Sequence, residues 1–117
     1  MNYLTLQITR ENLDKIILGL KPEEYREIRP KNSKKYIEYF IADDGEQDVR
    51  PKKYDGLKLL NGYAKNRPEV IIKYKNAEIE YIVDKEGNFI EYVEDGQTYL
   101  TAQMVYSLGK IISKKNI

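Results

Sequence analysis

The chain has 117 residues, a formal net charge of +1, eleven tyrosines, and neither cysteine nor histidine. That length suits one domain with a single apolar core. The composition excludes disulfides, thiolate nucleophiles, imidazole bases and most zinc, iron and copper sites, so any catalysis has to run on Lys, Asp, Glu, Tyr, Ser or Thr.

Residues 3–9 alternate apolar and polar among β-formers and predict a first strand. Thr9 is placed to cap a helix over 10–18, with Leu13, Ile16 and Ile17 as its apolar stripe and Gly19 as the residue that ends it. The next stretch, from Lys21 to Pro30, is dense in charge: Lys21, Arg26 and Arg29 against Glu23, Glu24 and Glu27. Only Tyr25 and Ile28 are apolar between 23 and 29, which fits no helical stripe. An extended reading puts Glu24, Arg26 and Ile28 on one face and Glu23, Tyr25 and Glu27 on the other. Tyr25, facing away from Glu24 and Arg26, is expected in the core.

Residues 31–35 carry three lysines in a polar turn that leads into a short helical or extended segment over 36–40. These lysines either solvate a loop or contact phosphate. Residues 43–46 and 51–56 read as turns, and the acidic one lacks the alternating ligands of a calcium loop, so no metal site is expected. A strand over 57–60 is followed by Asn61-Gly62, a tight-turn pair. Strands over 70–74 and 77–83 are separated by a turn at Lys75-Asn76. Residues 84–88 connect to a strand over 89–93, residues 94–97 turn, and 98–108 hold a closing strand, with a short helix before it as an option. The tail over 113–117 is expected to fray.

About six short strands and one or two helices imply an α+β fold: a small, mostly antiparallel barrel with an early helix closing one end, in one domain over 1–117. Residues 1–75 carry sixteen of the twenty cations against twelve anions, so a basic face can form from that part although the whole chain is near neutral. Tyrosine in such number suits a half-buried barrel wall, and it equally suits stacking on bases. No apolar run approaches a membrane span, and a cytoplasmic protein without a membrane partner is the expectation.

The run Ile17-Leu18-Gly19-Leu20-Lys21-Pro22-Glu23-Glu24-Tyr25-Arg26 resembles the ASCH domain family, relatives of the PUA domains, in which a helix ending in an Ile-Leu and Gly pattern precedes Lys-x-x-Glu-x-Arg. Residues 54–63, Tyr-Asp-Gly-Leu-Lys-Leu-Leu-Asn-Gly-Tyr, and residues 106–112, Tyr-Ser-Leu-Gly-Lys-Ile-Ile, are similar to that family's barrel strand and closing strand. The resemblance implies a PUA-like β-barrel with a polar cleft between barrel and helix, and RNA or a nucleotide-like small molecule as partner. Some small members hydrolyse acylated cytidine derivatives or cleave RNA. Their catalytic Lys falls on Lys21, but the Thr three positions later is here Glu24, which removes the alcohol nucleophile.

The residues therefore carry paired readings. Lys21 neutralises a phosphate or joins a surface ion pair; Arg26 offers its planar fork to a ligand or clamps Glu24; Glu24 accepts from an exocyclic amine or merely pairs with a neighbouring cation. Tyr63 stacks on a base at the cleft rim or flanks a turn. If the chain is an enzyme, Lys21 and Glu24 are its catalytic candidates, with Glu69, Glu78 or Glu80 as a second carboxylate. Three functional classes follow: an RNA- or nucleotide-derivative-binding module using Lys21, Glu24, Arg26 and Tyr63; a small metal-independent hydrolase, either an amidohydrolase or a ribonuclease; and a non-catalytic protein-interaction domain.

Overall fold

The structure, a computed structural model, describes residues 1–117. In chain order the elements are β1 (Tyr3–Gln7), α1 (Arg10–Ile17), β2 (Glu23–Ile28), α2 (Ser33–Tyr36), β3 (Ile37–Ile41), β4 (Gln47–Pro51), β5 (Gly56–Leu60), β6 (Glu69–Tyr81), β7 (Glu91–Glu94), β8 (Gln97–Leu100) and β9 (Ala102–Lys115). The residues group into two compact units, one formed by Met1–Glu24, Lys53–Asn76 and Tyr106–Ile117, the other by Tyr25–Lys52 and Ala77–Val105. No helix is long and apolar enough to cross a membrane.

The first unit is built on the apolar alternation of β1 and β5. These strands pair in parallel with Leu4 beside Leu57 and Leu6 beside Leu59, and β5 pairs antiparallel with β6 so that Leu57 meets Ile72 and Leu59 meets Val70. Period-two geometry sends each of these side chains to one face, and all six are buried. Leu13 and Ile16 of α1 add to this core. The helix starts as its sequence dictates: the Thr9 side chain accepts a hydrogen bond from Asn12 N at 3.3 Å. It also stops as dictated. Gly19 has φ +76°, Gly19 N donates to Ile16 O and Leu20 N donates to Lys15 O, the paired bonds of a left-handed glycine cap.

The main sheet has the order β1-β5-β6-β9-β2. The α+β class is as expected, but the sheet leaves β1 and β2 at its ends, with no pairing that closes it into a barrel. The parallel β1–β5 pair also makes it mixed. A parallel pair needs a long crossover, and here α1 and the whole of residues 25–52 lie between the two strands in sequence.

Other boundaries differ from expectation for local reasons. Lys75-Asn76 is no turn: β6 runs unbroken through both. Asn61-Gly62 opens a longer loop, closed by Asn61 N donating to Pro68 O at 3.0 Å and tied to the end of β1 by Asn61 Nδ2 donating to Ile8 O at 3.0 Å. The closing strand continues to Lys115 instead of fraying.

The second unit contains two hairpins. β3 and β4 pair with Tyr39 opposite Val49, and β7 and β8 pair with Tyr92 opposite Tyr99. The turn of the second hairpin is Asp95-Gly96, with φ of 50° and 79°. Positive φ at both central residues matches the right-handed twist of the flanking strands, which is why Asp-Gly favours this two-residue turn. It fixes Glu94 opposite Gln97, and therefore every pair above it.

Candidate functional site

The glycine cap turns the chain back from α1 toward the sheet, leaving Leu20 exposed and directing Lys21 and Pro22 against β9, where Leu108 N donates to Pro22 O at 2.9 Å. A cleft of about 500 Å³ opens there, walled by Ile16, Ile17, Ile72 and Leu108, with Lys21 and Lys110 also among its lining residues. Gly109 also lines it, and the Lys75 side chain passes 3.6 Å from where a Cβ on Gly109 would sit. Apolar walls with a few charged groups are the usual make-up of a small-ligand site.

Lys21 Nζ lies 3.9 Å from Glu24 Oε1, with the lysine side chain 21% and the glutamate side chain 6% exposed. Glu24 is the one charged residue among the buried side chains. A carboxylate removed from water is strongly disfavoured unless cations or donors face it, so this pair is not the solvated surface bridge that the sequence left open for it. The extended reading of β2 holds, since Glu24 and Ile28 are buried and Arg26 half-buried while Tyr25 and Glu27 are exposed. Tyr25, expected inside, is 43% exposed. The same alternation explains the reversal, because with Glu24 taken inward to meet Lys21 its neighbour has to point out.

The predicted set divides in consequence. Lys21 and Glu24 come together, and Lys21 lines the cleft. Arg26 follows on the Glu24 face of β2, in the second unit. Tyr63 sits in the loop over 61–68, is 84% exposed and does not line the cleft. Of the expected second carboxylates, Glu69 pairs with Lys115 at 3.9 Å and Glu80 accepts from Gln103 Nε2 at 2.7 Å.

Sequence reasoning missed Lys110 as a second lysine lining the cleft, although the closing-strand pattern Leu108-Gly109-Lys110 contains it. It also missed Arg29 and the tyrosine pair of the second unit. The Asp95-Gly96 turn could have signalled that pair, since Tyr92 and Tyr99 are equally far from it on either side.

No family model, curated protein or solved structure matches the chain.

Proposed function

We propose that this is an ASCH-type, PUA-like module that binds RNA or a nucleotide derivative, with a phosphate drawn to the cleft of Lys21 and Lys110. The observation that carries the reading is the buried Glu24 carboxylate 3.9 Å from the ammonium of Lys21, a residue that lines that cleft. Glu24 orients one ammonium while Lys110 adds a second, so the cleft keeps a net positive charge after the pair is counted, and a point-like ammonium is well suited to phosphate. The apolar wall formed by Ile16, Ile17 and Ile72 suits the sugar or base.

Binding is preferred to hydrolysis on chemical grounds. An attacking water needs a base close to the scissile atom, Glu24 is engaged with Lys21, and Glu69 is engaged with Lys115. The test is calorimetric titration of the full chain with nucleoside 5′-monophosphates and the parent nucleosides, with turnover of an acylated cytidine followed in parallel. Phosphate-dependent binding, weakened about tenfold in Lys21→Ala by removal of a charge-assisted hydrogen bond of roughly 1.4 kcal/mol, is the expected result. Equal affinity for nucleoside and monophosphate, or an unchanged Lys21→Ala, would refute it.

A further inference from the structure

The second unit contains a cleft of its own, of about 520 Å³, lined by aliphatic side chains and four tyrosines. Tyr92 stacks on Tyr99 with ring centres 5.5 Å apart and planes inclined by 24°, and the Arg29 guanidinium lies 4.1 Å from the centre of the Tyr92 ring. Tyr39 and Tyr81 line the same cleft and are 64% and 43% exposed.

Each part of this stack is held in place from outside the cleft. The Asp95-Gly96 turn sets Tyr92 opposite Tyr99, and the Tyr99 hydroxyl donates to Gln97 Oε1 at 2.7 Å. Arg29 Nη2 pairs with Glu27 at 2.6 Å, and that hydrogen bond raises the arginine's already high pKa against the opposing pull of desolvation. Asn32 clips the backbone beside it, accepting from Arg29 N at 2.8 Å and donating to Glu27 O at 3.2 Å. Planar groups fixed in this way lose little freedom when another planar group is laid on them.

The unit as a whole carries more Asp and Glu than Lys and Arg, and Arg29 is already paired with Glu27, so it is the local run of lysines that points to what that planar group belongs to. Directly after Arg29-Pro30 come Lys31, Lys34 and Lys35, and Ser33 between them lines the cleft. Aromatic platforms beside a run of cations are the combination that holds single-stranded nucleic acid, bases on the rings and phosphates on the cations. A proline-rich peptide also uses aromatic grooves, but it gives three lysines nothing to neutralise.

We infer that the tyrosine cleft of the second unit is a stacking site for unpaired bases of a single-stranded nucleic acid, whose backbone runs along Lys31 and the Lys34 and Lys35 turn of helix α2. The site is argued from residues that the Lys21 cleft does not use and stands or falls separately from it.

The experiment is fluorescence anisotropy of the full chain with a labelled single-stranded octanucleotide, a duplex of the same sequence and a proline-rich peptide, at several salt concentrations. Tyr99→Ala is expected to weaken single-strand binding about tenfold or more, and Tyr99→Phe, which keeps the ring, by no more than about threefold. Lys31→Ala with Lys34→Ala is expected to flatten the salt dependence, by about 0.7 in the logarithmic slope for each phosphate that is no longer neutralised.

Should Tyr99→Ala fail to fold, the wild-type chain supplies the second readout. Ring-proton resonances of Tyr39, Tyr81, Tyr92 and Tyr99 shift on adding the oligonucleotide if the inference holds. Duplex bound as tightly as single strand, peptide bound in place of the oligonucleotide, or these resonances left unmoved would each overturn it. Loss of monophosphate binding in Lys21→Ala, with the tyrosine shifts intact, separates this site from the first.

Discussion

The two units use their apolar residues in opposite ways. Twelve of the seventeen buried apolar side chains belong to the first, among them Leu13, Leu57, Leu59 and Val70 at 0% exposure, whereas nine of the fifteen large apolar side chains left exposed belong to the second. In the first unit sequence alternation and helical stripe converge on one core. In the second they line the open face of two hairpins with tyrosine, whose ring packs and whose hydroxyl stays wet. Stability should therefore be concentrated in the first unit, and tolerance to surface change in the second.

Truncating the core should give the largest effect. Leu13→Ala or Leu57→Ala is expected to cost about 2–5 kcal/mol in urea unfolding through reduced burial and the cavity left behind. Tyr39→Ala or Val93→Ala in the second unit should stay within about 0.5 kcal/mol, as at other exposed positions. Equal losses in both would erase the contrast between the units.

Next comes Gly56→Ala. A Cβ there would lie 2.6 Å from the Ile72 carbonyl oxygen, a backbone atom with no flexible side chain to yield, and overpacking of this kind costs about 1–3 kcal/mol. Thermal melting of that variant asks whether the β5–β6 approach is as tight as the core it supports. Thr9→Ala should follow, at about 1 kcal/mol for loss of the α1 cap.

The smallest effect is one of pH. Burial raises the Tyr54 pKa, with the nearby Tyr74 adding to the shift. Because the folded chain holds that proton more tightly than the unfolded one, stability is unaffected below the ordinary tyrosine value of about 10 and falls as pH rises beyond it. Tyr54→Phe should flatten the part of the alkaline decline that comes from this residue, as read from urea midpoints across that window.

Much of the first unit could be read directly from the chain, because its signals are short in range. Thr9 and Gly19 bound α1 within one residue, and the alternation of Leu4, Leu6 and Ile8 marks β1. The parts that escaped depend on pairing partners. Gln47-Asp48-Val49-Arg50-Pro51 has no apolar alternation, and it becomes β4 only because β3 lies opposite. Lys75-Asn76 has turn-like composition, but strand pairing on either side carries β6 straight through.

The site was legible as a cluster and ambiguous in direction. Period two placed Glu24 and Tyr25 on opposite faces, yet only the approach of Lys21 from the end of α1 decides which face turns inward. Arg29 and the Tyr92–Tyr99 stack escaped because hairpin register, not proximity in sequence, assembles them.

The most direct test of the functional account is amide and side-chain chemical-shift mapping of the full chain during titration with a nucleoside 5′-monophosphate. It predicts saturable shifts at Lys21, Gly109 and Lys110 that the parent nucleoside does not produce and that weaken as salt is raised. Shifts absent from these three residues while others saturate, or no saturation at all, would contradict it.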